Sequence, residues 1–399
     1  MIKKIAILII LVAAVAVGLE VYLNLSHYNT EILYQYQPAF GWSHSANKNF
    51  WYHENLFTIN QDGFRDVNHP KEKSNDVIRV AFAGSHYLEG MNSSFDNIAT
   101  TILEKQWNQK NEKKIEVFNF TTPKNNLEMV YFLIKYFSQK YDIDYFFYFF
   151  DPQKDPMIVA GSSDVTKHSP LLIFDDNGQV QEKTDFSIPP FVSPEYKTLK
   201  SYQFVRDLYY NFKNSLAGKK TSLNLEEDPN LFKPYPEIYF DQISTSTDQV
   251  VEKIAKIVDY IIDNSQSKVY IIMSPPQHTQ FFEYYEKAGN LAYFSQNNDF
   301  VNFVKKTHNL DFNVFMTETM FFIKQVDGNH FNPQNLTLRL QNKMENKDHL
   351  IDITDNFLPF AETPQADGFF QNWHRRDSGQ AYLAKALEEN VLPQLLSNQ

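Results

Sequence analysis

The sequence of 399 residues contains no cysteine, which excludes disulfide bonds, thiolate metal ligands and a cysteine nucleophile. Basic side chains are also in deficit, because 37 lysines and arginines face 48 aspartates and glutamates, which gives a net charge of −11. This charge argues against nucleic acid or anionic lipid as a main partner. No Walker loop, dinucleotide-binding fingerprint or internal repeat occurs, and no cofactor is expected.

What the sequence does contain is apolar and aromatic residues, at 43% and 16% of the chain. That content is ample for a sizeable core. The length allows one large α/β domain with insertions, or two domains.

The amino terminus carries Lys3 and Lys4 and then an uncharged apolar run from Ile5 to Leu19, which resumes after Glu20. With Val21 to Leu25 included, the apolar part of residues 1–28 reaches the length of about 20 residues that a membrane span needs. The two lysines predict a cytoplasmic amino terminus and an exported body. We expect a single-pass inner-membrane protein whose body lies in the periplasm or extracellular space. The small residues at 14–16 fit a cleavage site, so a cleaved signal peptide is the alternative.

The most informative stretch runs from Arg79 to Gly90. Its first half reads as a short buried strand, which Gly84 breaks before the polar pair Ser85-His86. An amphipathic run follows, so the local unit is strand, polar turn and helix. Ligands of open α/β sheets bind at this carboxyl edge of the strands.

Four further apolar runs predict strands of the same sheet. The full predicted set is 78–83, 115–120, 144–150, 269–273 and 349–353. We expect one mainly parallel sheet with helices on both faces, and Ser85, Asn119, Asp151 and His374 at its carboxyl edge. Residues 29–75 form a lead-in in which Arg65-Asp66 is either a solvated ion pair or part of the edge of a site.

The carboxyl-terminal segment places His374 five residues before Gly379, ahead of an amphipathic helix. The strand–Gly84–turn unit, Asn119, the aromatic strand and the His374/Gly379 pair occur in the block order of the SGNH (GDSL-type) hydrolase family, which the chain resembles. The resemblance implies a three-layer α/β/α sandwich with an SGNH/flavodoxin-like parallel sheet over 76–399, with insertions at about 152–245 and 280–345.

The resemblance also implies a catalytic set, from which this chain departs at four positions. His86 stands at the nucleophile position, so Ser85 would act one residue early. Thr121 replaces the glycine whose backbone N–H helps to bind the oxyanion. Asp151 is the polar group nearest to the missing oxyanion asparagine, and it accepts hydrogen bonds only. Gln371 replaces the aspartate that orients the base His374, and Asp367 is the nearest upstream carboxylate.

The resemblance therefore leaves three functional interpretations open. The first is a membrane-anchored esterase or O-acyltransferase that acts on acylated envelope glycans, with a membrane acyltransferase as a partner. The second is a catalytically inactive binding or assembly protein of the cell envelope. The third, a minor one, is a metal site formed by His86, Asp151 and His374.

Overall fold

A computed structural model describes residues 2–26, 34–52, 55–84, 88–91, 93–122, 125–151, 154–160, 169–186, 199–217, 237–274, 332, 334–356 and 377–393. The helices of these residues are α1 (Ile2–Leu25), α2 (Ala99–Lys110), α3 (Leu127–Tyr141), α4 (Lys154–Val159), α5 (Lys200–Ala217), α6 (Thr245–Asp263), α7 (Asn335–Lys343) and α8 (Asp377–Asn390). The strands are β1 (Tyr34–Gln37), β2 (Gly41–His44), β3 (Asn49–Tyr52), β4 (Asn55–Thr58), β5 (Val77–Gly84), β6 (Lys114–Thr121), β7 (Tyr145–Phe149), β8 (Leu171–Phe174), β9 (Val180–Lys183), β10 (Lys268–Met273) and β11 (Leu350–Asp352).

The centre of the fold is a five-stranded sheet in the order β6-β5-β7-β10-β11, in which every pair is parallel. Counted along the chain, this order is 2-1-3-4-5, one of the two common orders of doubly wound α/β proteins. All five strands predicted from the apolar runs are confirmed, and so is the α/β fold class.

Helices pack on both faces of this sheet, because each strand alternates its side chains between two separate cores. Ala81, Phe118, Phe146 and Ile271 lie in one core together with apolar residues of α3 and α6. Their strand neighbours Val80, Val117, Phe147 and Ile272 lie in the other core, against α2 and α8. A strand that is covered on both faces needs apolar residues at nearly every position, which explains the continuous runs in the sequence.

Strand β6 forms one open edge of the sheet, and side chains cap its outward N–H groups. The N–H of Ile115 donates to Asn108 Oδ1 and the N–H of Val117 donates to Glu104 Oε2. The N–H of Asn119 donates to Asp66 Oδ2 in the lead-in. These acceptors occupy the groups with which a sixth strand would pair, and they end the sheet at β6.

The remaining strands form three separate antiparallel pairs, β1–β2, β3–β4 and β8–β9. The first two pairs belong to the lead-in and the third lies in the first predicted insertion. The turn between β8 and β9 is closed by Asp175, whose Oδ1 accepts from the N–H groups of Asn177 and Gln179. Neither the lead-in pairs nor this hairpin were predicted from the sequence.

At the amino terminus, α1 covers most of the segment 1–28 for which the sequence predicts a membrane helix. Across the part of the chain that the structure describes, no helix is found that combines the length and the apolar character needed to cross a membrane.

Gly84 ends β5 opposite Phe149 of the neighbouring strand β7. Its φ is +142°, and a Cβ at this position would lie 2.5 Å from the carbonyl oxygen of Phe149. We expect Gly84→Ala to lower the free energy of unfolding by roughly 3 kcal/mol, because it combines backbone strain with a backbone clash. Urea unfolding followed by tryptophan fluorescence measures this loss.

Gly178→Ala is the matched control, because its φ is +73° but no atom lies within 4 Å of the added carbon. It is expected to cost only about 1 kcal/mol, from backbone strain alone. An equal loss in the two variants would show that the close approach to Phe149 contributes nothing.

Candidate functional site

The candidate site lies at the carboxyl edge of the sheet, where β5 and β7 are neighbours. The chain leaves β5 at Gly84 toward β6 on one side, and it leaves β7 after Phe149 toward β10 on the other. This reversal of strand order is the position at which open α/β sheets bind their ligands. Thr121 ends β6 and Asp151 follows β7, so both residues belong to this edge.

The structure describes three of the residues that the sequence predicts for the site, namely Asn119, Thr121 and Asp151. The other predicted residues lie outside the described residues: Ser85, His86, Asp367, Gln371 and His374.

Asn119 and Thr121 are both buried and are bonded to each other. The side-chain oxygen of Asn119 accepts from the Thr121 N–H at 3.2 Å and from the Thr121 hydroxyl at 2.5 Å. The backbone N–H that the resemblance assigns to an oxyanion is therefore already engaged. It would have to leave Asn119 before it could donate to a substrate.

Asp151 is nearly fully buried, and its backbone N–H is bonded to the side chain of Asp155. The sequence did not indicate a role for Asp155. Asp151 Oδ1 accepts from the N–H of Lys154 at the start of α4. Asp155 accepts from the Leu127 N–H at 3.0 Å, from the Tyr148 hydroxyl at 2.7 Å and from the Asp151 N–H at 2.9 Å. The two carboxyl groups thus join β7, α3 and α4 at this edge of the sheet.

Two carboxyl groups near this edge hold their protons more tightly than usual. Burial and the nearby Asp151 charge raise the pKa of Asp155 to about 7, against the opposing hydrogen bonds from Tyr148 and Asp151. Burial and the charge of Asp155 raise the pKa of Glu128 to about 8, and Lys253 offsets part of this shift. Carboxyl groups that titrate near neutral pH in such a place are candidates for proton transfer.

The segment that follows β5 is held by Arg65, whose side chain is fully buried. One guanidinium nitrogen donates to the carbonyl oxygens of Glu89 and Gly90, and the other donates to the carbonyl oxygen of Ser93. The guanidinium also lies 3.8 Å from the centre of the Phe57 ring. The interpretation of Arg65-Asp66 as a solvated ion pair is wrong, since both residues are buried and hold the edge of the site.

A second contact to the same segment is the pair His44–Glu89, which was not predicted from the sequence. His44 Nε2 and Glu89 Oε1 are in direct contact, and both side chains are fully buried. Among the described residues, His44 Nδ1 and Glu89 Oε2 have no hydrogen-bond partner. A ring nitrogen held by a carboxylate, with the other nitrogen open, is the arrangement of an oriented base. In the sequence, only the position of Glu89 between Gly84 and Gly90, in the segment after the predicted strand, could have indicated that it lies near the site.

Asp66 anchors the lead-in to the sheet through a three-residue network. Its Oδ2 accepts from the Asn119 N–H and contacts His69 Nε2 at 3.1 Å, while His69 Nδ1 contacts Glu116 Oε1 at 2.8 Å. Burial lowers the pKa of His69, but the two carboxylates outweigh it and the pKa rises to about 9. His69 is therefore a buried cation between two anions at neutral pH.

The first turn of α8 lies against the same loop. Gln380 Oε1 accepts from the N–H of Ala99 at 2.9 Å, where α2 begins. A Cβ on Gly90 would lie 3.4 Å from Gln380 Cδ. The segment that follows His374 in the chain is thus in contact with the segment that follows Ser85.

No protein-family model matches the chain, and no curated protein matches it. Within the described residues, no group of three histidine, aspartate or glutamate side chains could hold a metal ion.

The buried pair gives the first prediction for this site. We expect His44→Leu to destabilise the protein by about 3–5 kcal/mol, because it leaves the buried Glu89 side chain without its hydrogen-bond partner. The double variant His44→Leu/Glu89→Leu is expected to lose less than the sum of the two single variants. Urea unfolding of all four proteins of the cycle measures the coupling.

The control for this cycle is the pair Lys110–Glu388, whose lysine is exposed. Its coupling is expected to be at most about 1 kcal/mol. Additive losses at His44 and Glu89 would contradict the pairing.

His69 gives a pH-dependent prediction. Because its pKa is about 9 in the folded protein and about 6.5 in an unfolded chain, its stabilising contribution is complete below pH 6.5. That contribution is lost as the pH rises through 9. Urea unfolding between pH 6 and pH 10 is expected to show a steeper fall in stability for the wild type than for His69→Gln.

The comparison with His69→Gln is needed because Asp155 and Glu128 also lose protons in part of this range. Parallel pH profiles in the two proteins would show that His69 is not the cation of the network.

Proposed function

We propose that the chain is an SGNH-hydrolase-like protein whose site lies at the β5–β7 crevice. The observation that carries this proposal is the contact of Gln380 with Ala99 and Gly90. This contact supports an arrangement in which the two ends of the family resemblance, the turn after Gly84 and the segment around His374, meet at one edge of the sheet. The strand order 2-1-3-4-5 supports the same proposal.

In the proposed site, Ser85 is the nucleophile and His374 is the base that takes its proton. Asp367 orients His374, since Gln371 cannot serve as a carboxylate. His86 takes the family's nucleophile position, and Asn119, Thr121 and Asp151 line the pocket. The reaction class is ester hydrolysis or O-acyl transfer, with serine forming the acyl intermediate.

The proposed ligand is an acylated glycan of the cell envelope, bound by a body that is exported and attached to a membrane at its amino terminus. The lysines and apolar run of residues 1–28 support this location. A membrane acyltransferase is the proposed protein partner, and the net charge of −11 argues against nucleic acid.

A second candidate function is a binding or assembly protein that keeps the pocket without its chemistry. The observation that favours it is the engagement of the Thr121 N–H by Asn119. At the other oxyanion position, Asp151 accepts the Lys154 N–H and would repel a developing negative charge. Among the described residues of the site, the Thr121 N–H is thus not free for an oxyanion, and losing one such donor costs about 100-fold or more in rate, which predicts slow chemistry.

The test is the release of nitrophenol from nitrophenyl acetate by the full chain in mild detergent. We expect slow hydrolysis, at a rate near the buffer background, that depends on Ser85 and His374. The variants are Ser85→Ala, His374→Ala and His86→Ala, with the exposed Ser74→Ala as the matched serine control.

Three outcomes separate the interpretations. Robust turnover that Ser85→Ala abolishes establishes the esterase and rejects the binding protein. Turnover that survives Ser85→Ala but falls with His86→Ala and with a chelator supports the metal site. No change in any variant, together with binding of an acetylated glycan, supports the binding protein.

A further inference from the structure

Exposed large apolar side chains are concentrated on two helices. Among the described residues, seventeen such side chains are exposed, and thirteen of them lie on α1, on α5 or immediately before α5. The other four, Leu56, Val67, Tyr136 and Leu338, are scattered over the rest of the molecule. A concentration of this kind marks an interaction surface, whereas isolated apolar residues do not.

The two helices are joined at a junction in which the polar groups are satisfied internally. Glu20 of α1 accepts from the N–H groups of Lys200 and Ser201, at 3.0 and 2.8 Å, and so caps the start of α5. The Lys200 ammonium donates to the carbonyl oxygen of Leu23, and both of these residues are buried. Internal pairing of backbone and charged groups is what an apolar surrounding requires.

On α5, the exposed apolar residues form one stripe. Val205, Leu208 and Tyr209 follow the spacing of one helical face, and more than half of each side chain is exposed. The intervening Arg206 and Asp207 approach each other at 3.5 Å. An amphipathic helix normally turns such a stripe toward a core, so its exposure here marks an interaction surface.

The exposure on α1 indicates what covers both helices. All residues from Leu11 to Gly18 are exposed, on every side of the helix. A protein partner covers one face of a helix, whereas lipid covers all of them. We propose that α1 and α5 together form a lipid-binding surface, on which Val205, Leu208 and Tyr209 contact the apolar boundary of a phospholipid bilayer. This inference rests on the membrane attachment in the proposed function.

The absence of cysteine allows a direct test with the full chain. A fluorescent label at Leu208→Cys, where the leucine is 54% exposed, is compared with the same label at Leu338→Cys on α7, where the leucine is 47% exposed. The chain is bound to phosphatidylcholine vesicles that contain brominated lipid as a quencher. We expect the label at Leu208→Cys to lose most of its fluorescence and the label at Leu338→Cys to keep it.

A second matched pair, Val205→Cys and Val67→Cys, guards against a local effect of one substitution, and the same difference is expected. Equal quenching within both pairs would overturn the inference while leaving membrane attachment intact. Failure of the chain to bind vesicles would overturn both. Shielding of the Leu208→Cys label without lipid, in proportion to protein concentration, would assign the surface to a second copy of the chain. Esterase activity is measured separately, so neither result depends on it.

Discussion

The edge of the site depends on the burial of one guanidinium group. A charge removed from water must find hydrogen-bond acceptors, and Arg65 finds them in three backbone carbonyls of the segment after β5. Burial lowers the pKa of Arg65 to about 10, and the Glu89 charge opposes that shift. Arg65 of the lead-in therefore holds the segment after β5 in place, and the carbonyl oxygens of that segment accept the hydrogen bonds that the buried guanidinium requires.

The sheet was predictable because its physical signal is local. Each of the five strands is covered on both faces, so each must be an apolar run, and a turn residue or polar residue must end it. Gly84 ends β5 in the sequence for the same reason that it is required in the structure, since Phe149 leaves no space for a Cβ. The core-facing residues of α8 were predictable as well, because Leu383, Ala386 and Leu387 repeat with the period of a helix.

The polar part of the site was not predictable in the same way, because its signal is not local. His44 and Glu89 are separated by 45 positions, and only the pairing of the lead-in with the β5 segment shows that they meet. Arg65 and Asp66 look like a surface pair in sequence, yet their partners lie on different elements. Asp155 gave no signal because its three donors come from β7, from the turn after it and from α3.

The described edge of the sheet is rich in acceptors and poor in free donors. Asp151, Asp155, Glu89 and Glu128 carry carboxyl groups there, while the Thr121 N–H is already engaged. Such an edge disfavours the developing negative charge of an acyl-transfer intermediate. The raised pKa values of Asp155 and Glu128 reduce the negative charge at neutral pH. The slow chemistry proposed for this site follows from these electrostatics, because an edge whose Thr121 N–H is engaged by Asn119 offers little stabilisation to an oxyanion.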